Sequence, residues 1–146
     1  MARLDLGLAE AIAAVTPDTQ RLIARWAARR AYEVAGIADI VWIAPALQAL
    51  DHGQELPPPF DDKQQMWRIL FSDQQVPRTT VASMDHMFPD HQPRDMMRSA
   101  MAVPALFAAA GPDPLKAALQ ALAIAAAAFG PDYLALLEDA RRAFSL

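Results

Sequence analysis

TPDTQRLIARWAARRAYEVAG, residues Thr16 to Gly36, carries a helix start, a helix stop and two charges set where apolar residues belong. Thr16 can accept from the backbone N–H groups of a first turn, Pro17 suits the first helical position, and Asp18 opposes the helix dipole. Gly36 supplies the left-handed conformation that closes a helix. At about 100° per residue, Leu22, Ile23, Trp26, Ala27, Ala31 and Val34 fall on one broad arc. Arg21, Arg25 and Arg29 form a stripe at i, i+4, i+8 on another.

Arg30 points into the middle of the apolar arc, between Trp26 and Ile23, and Glu33 sits three residues on. A charge there must be paired, run its stem out to water, or face something other than the core. The default reading makes Arg30 and Glu33 a structural pair at the edge of the core, with Asp39 as a possible third member. The sharper reading puts the Arg stripe and the pair on a binding face. A charge run on a helix is usually a solvated face, and that reading competes for Arg21, Arg25 and Arg29.

Working outward, a length of 146 residues fits a single domain (1–146) able to bury a real core. The hydrophobic share of 54% is above that of an average soluble domain, and much of the excess is alanine, which lets helices pack closely. A net charge of −4 argues against nucleic-acid binding by general electrostatics, because phosphate binding needs clustered positive charge. With no cysteine, disulfides, thiolate metal sites and a Cys nucleophile are excluded. Met1–Val15 has too little positive charge for a secretory signal, and its Leu4, Leu8, Ile12 and Val15 recur at helical spacing. The run 117–130 is too short for a bilayer span, so no membrane segment is expected. A cytoplasmic location is expected, and the preference for arginine over lysine hints at a bacterial source.

After Gly36, Ile37–Gly53 is strongly apolar and interrupted by Pro45. Either one helix kinks near Val41, or a first piece ends at Ala44 and a second begins at Pro45. Glu55–Phe60, ELPPPF, reads as an extended polyproline strap. Asp61 or Asp62 caps a helix running to about Ser72, with Met66, Ile69 and Leu70 inward and Trp67 nearer its edge. From Asp73 to Arg94 the helical period vanishes: residues 76–81 are extended in character, and 83–95 reads as a long irregular loop. Helices are expected again over Asp95–Ala110 with Pro104 inside, Asp113–Phe129, and Pro131 to about Phe144, joined by the tight turns Gly111-Pro112-Asp113 and Gly130-Pro131-Asp132. The helix from Pro114 is apolar nearly all round and is expected to be the most buried.

Every histidine follows an aspartate: Asp51-His52, Asp85-His86 and Asp90-His91. The last two pairs share the 83–95 loop, where His86, His91, Asp85 and Asp90 offer imidazole and carboxylate ligands suited to zinc, iron or manganese. No HExxH, nucleophile elbow, glycine-rich phosphate loop or dinucleotide fingerprint accompanies them. Asp-His dipeptides are also ordinary polar surface. Five of the seven methionines, Met84, Met87, Met96, Met97 and Met101, cluster in and after this loop. Methionine fills irregular cores and also makes adaptable binding surfaces; with Phe88, Met84 and Met87 are candidates for contact with a partner protein or a second copy.

The sequence therefore predicts an all-α fold: one compact bundle of six or seven helices with a proline-rich strap and one long irregular loop. The expected function is a small bacterial protein-interaction module, of the immunity or accessory type, with no cofactor. The alternative is a small helical metal- or ligand-binding enzyme with its site under the 83–95 loop.

Overall fold

Leu8 and Ile12, one helical turn apart, form the buried face of α1 (Leu6–Ala14), and Gln20 of the next helix locks its end by donating to the Ile12 and Val15 carbonyls at 3.0 and 3.3 Å. The computed structural model describes residues 6–83 and 94–146, and over these the chain is mainly α-helical with one small antiparallel hairpin. Helix α2 (Pro17–Val34) starts as its sequence demands, with the Thr16 side chain accepting from Thr19 N–H at 3.2 Å and Gly36 at φ 75° just past its end.

The buried arc of α2 is rotated from the expected one. Ile23, Ala24, Ala27, Ala28, Ala31 and Tyr32 are fully buried, Leu22 is 53% exposed, and Trp26 and Val34 sit at the edge of the core. The cause is the partner. α2 packs most extensively on α7 (Pro114–Phe129), whose own buried face is Ala117, Ala118, Ala121, Leu122, Ala125, Ala126 and Ala128. Alanine against alanine lets two helices approach closely, and the larger Leu22 and Trp26 are displaced from that seam. Asp113 caps α7 by accepting from the N–H groups of Leu115 and Lys116 at 3.1 and 3.3 Å.

Between these two helices the chain makes shorter pieces. Residues 37–43 form a succession of turns and α3 (Ala44–Asp51) begins one residue before Pro45, so the single kinked helix does not form and the first piece is turns rather than helix. The proline strap differs from an extended spacer: the Phe60 and Asp62 N–H groups close turns onto the Pro57 and Pro59 carbonyls, and the Pro58–Pro59 bond is cis. Phe60 is thereby buried between Trp42 and Phe107, with ring centroids 5.7 and 5.8 Å away. Asp62 caps α4 (Lys63–Ser72) through Gln65 N–H at 3.3 Å.

The fold is not purely helical. β1 (Thr80–Ser83) pairs antiparallel with β2 (Arg94–Met97), Thr80 opposite Met97 and Ser83 opposite Arg94. The expected helix over 95–110 therefore starts late and is divided: α5 (Arg98–Ala102) and α6 (Pro104–Ala109) meet at Val103 and Pro104, where proline cannot continue the helical ladder. The Tyr32 hydroxyl donates to the Val103 carbonyl at 2.8 Å and fastens this break to α2. Burial pushes the Tyr32 phenol well above its ordinary 10.0.

A 3₁₀ turn (Gly130–Asp132) joins α7 to α8 (Tyr133–Phe144), which buries Leu136, Leu137 and Ala140. Gly130 has φ 63° and ψ −126° and lies against Val81 of the hairpin. By length and composition, with a mean hydropathy of 1.4, Pro114–Phe144 is apolar enough to cross a membrane. The core helix of a globular fold meets the same test, and seven residues of α7 are buried against the other helices.

Candidate functional site

Arginine carries five donors, and helix C-termini leave carbonyl oxygens without partners. The Arg stripe of α2 matches one to the other. Arg21 donates to the carbonyls of Ala109, Gly111 and Pro112 at the end of α6, at 3.3 Å for the first and 2.7 Å for the last. Arg25 donates through one Nη to the Asp51 carbonyl at the end of α3, at 3.2 Å. Arg29 forms an ion pair with the Asp51 carboxylate at 2.5 Å. The stripe is thus a row of ties from α2 to the ends of two other helices, placed with the charge sign that a helix C-terminus favours.

Those ties enclose a cleft of about 300 Å³, lined by Arg21, Arg25, Leu50, Gly53 and Gln54 on one side and by residues 109–112 on the other. Gly53 has φ 65°, and a Cβ built on it would lie 3.5 Å from the Arg25 Nη2. Among the described residues no acidic side chain lines the cleft. Leu50, Ala109, Ala110 and Pro112 supply its carbon surface, which is matched by about as much polar surface.

Arg30 is held differently from expectation. It pairs with Asp139 of α8 at 3.1 Å, with the two side chains 33% and 31% exposed, and its guanidinium lies 5.4 Å from the Trp26 ring centroid and 5.8 Å from that of Phe129. Asp139 also takes Arg142. Glu33 is exposed, so the expected Arg30–Glu33 pair is replaced by a pair across two helices. The rotated arc of α2 explains this: the ring of Trp26, at the edge of the core, guides Arg30 toward α8, while Glu33 turns to water.

A second surface feature lies on α4. Trp67 and Phe71, four residues apart, stack with centroids 5.8 Å apart and an interplanar angle of 19°, and Phe71 is 52% exposed. Nearby, the Trp42 indole N–H donates to the Asp73 carboxylate at 2.7 Å. That bond first, then the Gln75 N–H and the Arg78 charge, hold the Asp73 carboxyl below its usual range. Val41, next to Trp42, is 79% exposed. The sequence reading placed Trp67 at an edge and passed over Phe71; an aromatic pair at i, i+4 on the polar side of a helix was the available signal.

The remaining sequence-predicted residues, Met84, Met87, Phe88, His86, His91, Asp85 and Asp90, lie outside the described residues. Among the described residues no group of three His, Asp or Glu side chains is placed to hold a metal ion. His52 is exposed, its Nδ1 at 2.7 Å from the Gln48 carbonyl within its own helix end.

The class these observations define is a mainly-α fold with one β-hairpin. No family model, curated protein or solved structure matches the chain.

Proposed function

We propose that the chain is a single helical-bundle domain that works as a protein-interaction module: a bacterial, cytoplasmic protein of the immunity or accessory type that binds a partner protein. The observation that carries the reading is the stacked Trp67–Phe71 pair, with Phe71 half in water and Val41 more exposed still on a segment that the Trp42–Asp73 bond ties to the end of α4. Aromatic side chains give much contact area at little conformational cost, and they dominate the energetics of protein interfaces.

The test pairs Phe71→Asp with Val41→Asp. Both side chains are exposed, so melting temperature should stay within about 2 °C of the parent, as for most surface changes. Affinity capture from the source cells should recover a defined partner with the parent protein and lose it with the double variant. Recovery of the same partner by both proteins overturns the assignment of this face.

A further inference from the structure

We propose that the cleft between Arg21 and Arg25 binds a small organic carboxylate with a compact apolar body. The site shares no lining residue with the α4 surface and does not rest on it. Local charge is the first argument. Arg29 is neutralised by Asp51, and Arg21 is committed to three carbonyl oxygens at the end of α6. Arg25 has one hydrogen bond among the described residues, through Nη1 to a single carbonyl, and its Nη2 faces the bare Cα of Gly53. One cationic fork therefore stands with donors to spare in a cleft without an acidic side chain.

Shape and lining are the second argument. A volume of about 300 Å³ sits at the small end of ligand cavities, which rules in a compact molecule. Leu50, Ala109, Ala110 and Pro112 offer carbon surface to the body of such a ligand, and Gln54 adds an amide that can accept or donate. Gly53 presents no side chain beside Nη2, and its φ of 65° is one that a side-chain-bearing residue rarely adopts. An oxyanion on Arg25 with its apolar body on the α6 end uses every wall.

Location is the third. The cleft adjoins Gly111 and Pro112, just before α7 begins, whereas the hairpin packs at the other end of α7. Sixteen residues of helix separate the two by about 24 Å. The cleft thus lies at the opposite end of α7 from the described strands of the hairpin.

Thermal unfolding of the full chain with sodium benzoate as probe, at constant ionic strength and pH 7, tests this. At roughly twentyfold excess over the dissociation constant, the parent Tm should rise by about 5 °C. Arg25→Gln should abolish the rise. Ala110→Glu places a carboxylate in the cleft from an exposed position and should abolish it too, which covers the case that Arg25→Gln folds poorly. Absence of a shift in the parent, or an equal shift in Ala110→Glu, overturns the proposal. Inorganic phosphate reproducing the full shift overturns the assignment of an apolar body.

Discussion

Alanine at Gly130 is predicted to be among the costliest single-methyl additions in the chain. Two separate penalties meet there. The backbone, at φ 63° and ψ −126°, has the geometry of the first central residue of a type II′ turn, which glycine dominates; an L side chain there costs about 1.5 kcal/mol. The new Cβ also falls well inside contact distance of the Val81 Cγ2, and Val81 is only 4% exposed, so the hairpin must shift at a further cost of about 1.5 kcal/mol. With a urea m-value of about 2 kcal/mol/M, the summed loss of about 3 kcal/mol lowers the unfolding midpoint by about 1.5 M. A double-mutant cycle separates the two terms. Val81→Ala alone removes packed methyl groups and costs about 2 kcal/mol. In the double variant the steric penalty disappears and the strain remains, because Val81 Cβ lies 3.6 Å from the added carbon, an ordinary contact. The double variant should therefore be about 1.5 kcal/mol more stable than the sum of the single losses. Additivity within about 0.5 kcal/mol would refute the packing of β1 on the end of α7.

Two further outcomes follow from buried hydroxyls. The folded state holds Tyr32 neutral to a pH well above 10.0, whereas the unfolded chain ionises near it; stability is fully present below that pH and falls as pH rises beyond it. Tyr32→Phe should cost about 1 kcal/mol at pH 7, by releasing the Val103 carbonyl, and should flatten the alkaline limb of denaturation midpoints between pH 9 and 11. A parallel limb in both proteins would argue against burial of the phenol. Ser99, fully buried on α5, has a hydroxyl without a hydrogen-bond partner among the described residues. Ser99→Ala should be neutral or raise stability by about 1 kcal/mol in chemical denaturation, and a loss above about 1 kcal/mol would mean that the hydroxyl has a partner after all.

Local signals in the chain were readable where local chemistry decides. Thr16 and Asp113 cap the helices they were expected to start, and Asp62 is the one of the pair Asp61 and Asp62 that caps α4, whereas Pro104, expected inside one helix, divides it. The alanine-rich helix from Pro114, read as apolar nearly all round, buries seven residues and packs most extensively on α2. What stayed hidden depends on partners remote in sequence. Asp95–Met97 reads as the start of a helix, and only pairing of Arg94–Met97 with Thr80–Ser83 makes it a strand. The tilt of the buried arc of α2 is set by the alanine seam of α7, which a helical wheel drawn on α2 alone does not contain.

The Arg stripe shows how that limit bears on function. Spacing at i, i+4, i+8 establishes that Arg21, Arg25 and Arg29 share a face, and nothing local says what faces them. Two helix ends do, more than 20 residues away at Asp51 and more than 80 away at Ala109 to Pro112. The carbonyl oxygens of Ala109, Gly111 and Pro112 satisfy Arg21, the Asp51 carboxylate satisfies Arg29, and Arg25, with only the Asp51 carbonyl among the described residues, is left between them with unused donors. A row of three equal charges in sequence becomes three unequal ones in space. The chemistry concentrates on the middle residue because its two neighbours are already committed to tying α2 to the two helix ends.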